Sequence, residues 1–245
     1  MDRQVLLGLN HFKNKNDIIV FESHSVNKAN EVAAEIIEKY CDFKTALFLS
    51  GGSTPKKFYE YLAHKKSLRV GAVGQIDEKF GKKDHRNSNE MMIKNTGILE
   101  YFENQNIRFY PILQKDLNIE DTAQEYDEAL RFILKYIPKS VGILGIGTDG
   151  NIAGIPAINE IAKKMSEDQG SLVSFYEVEK YGSRITLNFQ GLSMLDLIIV
   201  LVIGQEKREA LQKMFKEGSV EDYPVRFYLQ PEIAKKTILI TDQVI

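Results

Sequence analysis

Cysteine is nearly absent from this chain. Cys41 is the only one in 245 residues, which excludes an intrachain disulfide and a cysteine zinc cluster. Histidine is sparse too. His11, His24, His64 and His85 are scattered, and none stands at metal-ligand spacing from another. Neither sign of charge dominates: the formal net charge is −2 at pH 7. There is no electrostatic case for nucleic acid or an anionic membrane, so any bound anion must be captured by a local site. No run approaches the roughly 20 apolar residues of a membrane span. The opening "MDRQVLLGLN" lacks the long apolar segment of a signal peptide. These absences predict a cytoplasmic, metal-independent protein.

What is present is the material of a sizeable core. Hydrophobic residues make up 43% of the chain and charged residues 27%, as in a soluble globular protein. Short apolar runs alternate with helical patterns. Strands are predicted at 17–21, 44–50, 68–75, 140–147, 183–189, 196–204 and 236–242. Helices are predicted at 25–40, 55–66, 118–134 and 205–218, the last ending at Gly218. Ser25 reads as an N-cap, with Val32, Ala33, Ile36 and Ile37 facing inward. Alternating strands and helices imply βαβ units: a Rossmann-like α/β fold with a mostly parallel sheet and helices on both faces. No repeat or linker breaks the chain, so residues 1–245 are expected to form one domain, with a small irregular lobe near 75–105.

Ligands of such sheets sit beyond the carboxyl ends of the strands, so the segments that follow the strands matter most. After 44–50 comes "GGSTP" (51–55). Its glycines permit close backbone approach, and the free N–H groups of a helix start make a phosphate cradle. An ordinary capped βα turn would have the same composition. The spacing is not that of a P-loop. After 68–75 comes "IDEKFGKKDHRNSN" (76–89), in which Asp77 and Glu78 could act on hydroxyls and Lys79 on an anion; a solvated polar loop is the plainer reading. After 140–144 comes "GIGTDGN" (145–151), where the glycines suggest unusual backbone or a close ligand. Lys207, in the first turn after Gly204, opposes the helix dipole, which a bound anion would offset. Arg184 opens "RITL" as a second clamp or a surface charge. Each signal alone is soft. Together they favour a small, anionic, hydroxylated ligand.

The ordered blocks "SGGSTP", "DEKFGKKDHRNSN", "LGIGTDGN", "RITL" and "GQEKREAL" resemble the 6-phosphogluconolactonase family, within the superfamily that also holds glucosamine-6-phosphate deaminases. The resemblance runs from about residue 18 to the C-terminus. The pair Ser88-Asn89 is lactonase-like, and the glutamate that deaminases carry shortly after their D-G-H is missing from "NIAGIPA". The resemblance implies a hexose- or hexonate-phosphate ligand and no cofactor. It implies phosphate binding by Gly51, Gly52, Ser53, Lys79 and Lys207, with Arg184 a further candidate and Asp77 at the sugar end. Lactonases place a general-base histidine right after the D-G pair; here that position is Asn151, which takes no proton near neutral pH. The segment before Pro156 is one residue short, Lys79 replaces an arginine with loss of bidentate grip, and "GKK" stands where lactonases often have V-P.

The implied activity is hydrolysis of 6-phosphogluconolactone to 6-phosphogluconate, a step of the pentose phosphate pathway, at reduced or rerouted efficiency. Losing a positioned base forfeits roughly 10²–10⁴-fold in rate. Either Asp149, Asp77 or His85 supplies the base, or the chain is a non-catalytic sugar-phosphate-binding protein. Asn151 could still donate a hydrogen bond to a lactone carbonyl. A deaminase or isomerase is a third reading, disfavoured by the missing glutamate and histidine.

Overall fold

A computed structural model describes residues 12–245. The N-terminal segment read above against a signal peptide, and His11 with it, lie outside the described residues. Eleven strands are described: β1 (Phe12–Lys15), β2 (Ile18–Glu22), β3 (Thr45–Leu49), β4 (Ala72–Gln75), β5 (Asp77–Lys79), β6 (Arg108–Tyr110), β7 (Lys139–Gly145), β8 (Val173–Val178), β9 (Gly182–Leu187), β10 (Leu197–Val202) and β11 (Thr237–Thr241). Eight of them form one sheet in the order β1-β2-β11-β10-β7-β3-β4-β6. Every pairing in it is parallel except β1 with β2. The expected mostly parallel α/β architecture is therefore present.

The central strands are continuous apolar runs because both faces of the sheet are covered. Along β10, Ile198, Val200 and Val202 enter one core, while Leu197, Ile199 and Leu201 enter the other. β3 divides in the same way, Ala46 and Phe48 against Leu47 and Leu49. One face is covered by helices Val26–Tyr40 and Ser53–Lys65, through residues such as Ile36, Ile37, Phe58 and Leu62. The other is covered by helix Ile119–Tyr136, through Tyr126, Leu130 and Ile133, and by a second sheet. Each large side chain so buried contributes about 1.5–3 kcal/mol. The helix starts follow the sequence closely: Ser25 Oγ accepts from Lys28 N at 3.2 Å, and Asn118 Oδ1 accepts from Asp121 N at 2.8 Å.

The second sheet corrects the sequence reading. It is antiparallel, in the order β5-β9-β8. The segment expected as a strand at 183–189 belongs here rather than to the parallel sheet, and the first residues of the expected polar loop, Asp77–Lys79, are its edge strand. Two boundaries move furthest. Only Ala72–Gln75 of 68–75 is strand; it follows Gly71, which has no room for a side chain, since a Cβ there would stand 2.3 Å from Phe43 O. The helix expected to reach Gly218 ends at Met214. Arg226 Nε donates to Lys216 O at 3.1 Å and its Nη1 to Ser219 O at 3.2 Å, so a tertiary contact captures the carbonyls beyond that end.

Candidate active site

Four segments that follow parallel strands meet in one cleft of about 250 Å³. After β3 the chain turns through Gly51 and Gly52. Gly52 has φ +111, a left-handed value that favours glycine, and it precedes helix Ser53–Lys65 with no side-chain cap. The first amides of that helix are thus left for another acceptor. Gly51 has no room for a side chain: a Cβ would lie 2.2 Å from Asn89 Oδ1. After β10, Gly204 has φ +108 and brings Lys207 to the cleft.

Asp77, at the start of β5, lines the cleft and is held by several neighbours. Asn89 Nδ2 donates to its Oδ2 at 2.8 Å and to its backbone O at 2.9 Å. Gly51 N donates to its Oδ1 at 3.5 Å, and Arg184 Nη1 stands 3.6 Å from its Oδ2. Burial pushes the carboxyl above the ordinary aspartate range; the Arg184 charge and the Asn89 hydrogen bond pull the other way without cancelling it. Behind it, Glu78 accepts from Asn89 N at 2.6 Å, Glu90 N at 2.7 Å and Gln75 Nε2 at 2.9 Å. The buried Tyr126 hydroxyl accepts from Gln75 N at 2.6 Å and donates to Gln75 O at 2.5 Å. The β4–β5 corner that carries Asp77 is therefore clamped from both sides.

The 145–154 segment forms the facing wall. Gly147 N donates to Asn151 O at 2.8 Å. Gly150, with φ +85, lies where a Cβ would meet the Tyr223 ring at 2.2 Å. Ala153 holds φ +50, uncommon for a residue with a side chain, and its carbonyl accepts from the Thr186 hydroxyl. Gly154 lets the backbone approach Asp77. Asn151 lines the cleft, and its Nδ2 donates to Asp149 Oδ1.

The structure brings Gly51, Gly52, Ser53, Asp77, Lys79, Asn151, Arg184 and Lys207 to this one cleft. It does not bring Asp149 or His85 to the wall. Asp149 sits behind Asn151 and also accepts from Tyr181 Oη at 2.7 Å. Burial opposes its charge, but the hydrogen bonds from Tyr181 and Asn151 prevail and hold its carboxyl below the ordinary range. Both of its carboxylate oxygens are therefore engaged, one by the Asn151 amide and one by the Tyr181 hydroxyl. His85 Nε2 pairs with Lys79 O at 2.9 Å, out on the 80–88 loop. Asn89, Thr54 and Gly154 also line the cleft, though none of them was expected among the binding or catalytic residues. The sequence marked Asn89 only as half of the Ser88-Asn89 pair; its contacts with Asp77 and Gly51 are made only by folding.

Among the described residues lining the cleft, Lys79, Arg184 and Lys207 are cationic and Asp77 is the one carboxylate. Arg184 Nε is buried without a hydrogen-bond partner, a cost that native structures seldom leave uncompensated. Such a wall suits a small anion with one proton-accepting group beside it. Among the described residues, no group of three or more His, Cys, Asp or Glu is placed to hold a metal ion. No described helix is long and apolar enough to cross a membrane.

Comparison with known proteins gives a consistent picture. Residues 22–238 match the family model described as glucosamine-6-phosphate isomerases/6-phosphogluconolactonase. A 6-phosphogluconolactonase of Nostoc sp. is 32% identical over 196 residues, 75% of this chain and 77% of its own. The 6-phosphogluconolactonase of Plasmodium vivax superposes with a TM-score of 0.76 at 20% identity, over 97% of this chain and 95% of its own. The crystal structure of the Thermotoga maritima 6-phosphogluconolactonase gives 0.70 at 25% identity, over 91% and 98%.

Proposed function

This chain belongs to the family of glucosamine-6-phosphate isomerases and 6-phosphogluconolactonases, and from that premise we propose that it hydrolyses 6-phosphogluconolactone with Asp77 as the proton acceptor. One observation carries the assignment of the base: Asp77 is the only carboxylate among the described residues that line the cleft, and burial raises its basicity. The Asp149 carboxyl is the less basic of the two and stands off the wall.

The substrate phosphate is held by the amides at 51–54 with Ser53, Lys79 and Lys207, while Arg184 bridges the phosphate end and Asp77. Water attacks the lactone carbonyl carbon, and its proton passes to the Asp77 carboxylate. The carbonyl oxygen takes the negative charge, which nearby donors stabilise. As the intermediate collapses, the ring C–O bond breaks and the departing alkoxide recovers the proton from Asp77. The new carboxyl group releases its remaining proton to solvent, giving 6-phosphogluconate, and the Asp77 carboxylate is regenerated. Asn151, aimed by Asp149, contributes a hydrogen bond and no proton transfer.

The test pairs turnover with binding. Purified protein should hydrolyse the lactone faster than its spontaneous background, and should bind 6-phosphogluconate at least about tenfold more tightly than gluconate. Phosphate-dependent binding with hydrolysis at background would support the second reading, a sugar-phosphate-binding protein, which the amide at Asn151 favours. Equal affinity for the two acids would remove the phosphate site from the account.

A further inference from the structure

Beside the phosphate loop lies a second pocket of about 360 Å³. It shares Gly52, Ser53, Lys79 and Asn89 with the main cleft and continues outward past Lys56 and Arg86. Among the described residues that line it, three are cationic, Lys56, Lys79 and Arg86, and none is acidic. That is a sharp local excess in a chain whose formal net charge is −2. Arg86 has no ion pair among the described residues, and Lys56 has only an exposed contact of 3.7 Å with Glu60, a pairing that contributes little. Ser88, which also lines the pocket, is buried; its Oγ accepts from Met91 N at 2.9 Å, which leaves the hydroxyl proton to donate. Cations and a hydroxyl donor around a concave surface form an anion site.

We propose that this pocket holds a second phosphoryl group, so that the protein binds small molecules carrying two phosphoryl groups close together, as in a diphosphate. The proposal rests on the reading that the amides at 51–54 hold the first phosphate. Lys79 fixes the spacing. It borders both pockets, and its ammonium has three donors, so groups on either side of it can share it only if they are close. The first phosphoryl group would sit where the lactone phosphate sits, on Ser53 and Lys207. The second would engage Lys56, Arg86 and Ser88. Such a ligand competes with the phosphosugar for the shared part of the site and occupies ground that a monophosphate does not reach.

The experiment compares inorganic pyrophosphate with inorganic phosphate by calorimetry on the full chain at fixed pH and ionic strength, with displacement of 6-phosphogluconate as a second readout. Pyrophosphate should bind the native protein about tenfold or more tightly than phosphate and displace 6-phosphogluconate. The double variant Lys56→Ala/Arg86→Ala should lose most of that advantage while keeping its affinity for phosphate. A charge-matched control, Lys57→Ala/Lys82→Ala, alters two exposed residues outside the pocket and should keep the advantage. If phosphate binds and pyrophosphate shows no advantage, or the advantage survives in the pocket variant, the second subsite is wrong while the phosphate reading stands. If neither anion nor 6-phosphogluconate binds, the phosphate reading falls and takes this proposal with it.

Discussion

At the scale of single residues, two carboxylates in one neighbourhood are driven in opposite directions. Asp77 is buried at the cleft and pushed above the ordinary aspartate value of 3.8. Asp149 is held below that value by its hydrogen-bond donors. A base works only when ionised, so the proposed role has a pH signature: activity is present above the Asp77 pKa and lost as pH falls through it. The acid limb of kcat/KM for lactone hydrolysis should therefore lie above 3.8; a limb at or below that value would remove Asp77 as the base. Asn151→His tests the other wall. Asp149 already bonds the side chain at this position, so an imidazole there would have an orienting carboxylate and could accept a proton near neutral pH. Turnover should rise, but by well under the full roughly 10²–10⁴-fold of a well-placed base, because the segment leading to Pro156 sets where the ring falls. The readout is initial rate above background from pH 5.5 to 7.5, a window chosen around the ordinary imidazole pKa of about 6.5. No gain at any pH would contradict this account of the position.

At the scale of elements, the site depends on close backbone approaches that glycine allows. Gly51→Ala would set a Cβ 2.2 Å from Asn89 Oδ1 and displace the side chain that bonds Asp77. We expect loss of most lactone hydrolysis in a protein that still folds. Gly182→Ala is the comparison: nothing lies within 4 Å of its Cβ, and only its φ of +70 is strained. That should cost about 1–2 kcal/mol in denaturant unfolding and leave hydrolysis intact. Equal losses of activity in the two variants would show that the Asn89 contact is unimportant. The same elements show what the sequence could reveal. β3, β7, β10 and β11 were legible because strands buried on both faces are unbroken apolar runs, and helix Val26–Tyr40 was legible from its Ser25 cap and its period. β5 was not legible. Asp77, Glu78 and Lys79 have no apolar pattern, and they are strand only because β9 pairs with them. The loops beyond the parallel strands could be picked out by composition; which of their residues face a common cleft depends on the turns at Gly150, Ala153 and Gly154.

At the scale of the whole molecule, the two cores share the strands of one sheet, and residues 12–245 should unfold in a single transition. Its pH dependence has an identifiable source in Glu90. Burial, with Asp84 and Glu78 nearby, raises this carboxyl to about 7 from an ordinary 4.5, against the weaker pull of Lys83 and Lys94, and its Oε2 is buried without a partner. The folded state thus holds a proton that the unfolded chain has already released, and stability falls as pH rises from about 4.5 to about 7. Glu90→Gln should raise stability at pH 8 by about 1–3 kcal/mol and change it little at pH 4, as read by urea unfolding at both values. A variant no more stable at pH 8 than the native protein would refute this. The central claim, that the cleft hydrolyses a phosphorylated lactone through Asp77, is tested most directly by Asp77→Asn. Its rate of 6-phosphogluconolactone hydrolysis above background should fall by about 10²–10⁴-fold while its affinity for 6-phosphogluconate stays within about threefold of native. A variant that hydrolyses the lactone as fast as the native protein would contradict the account.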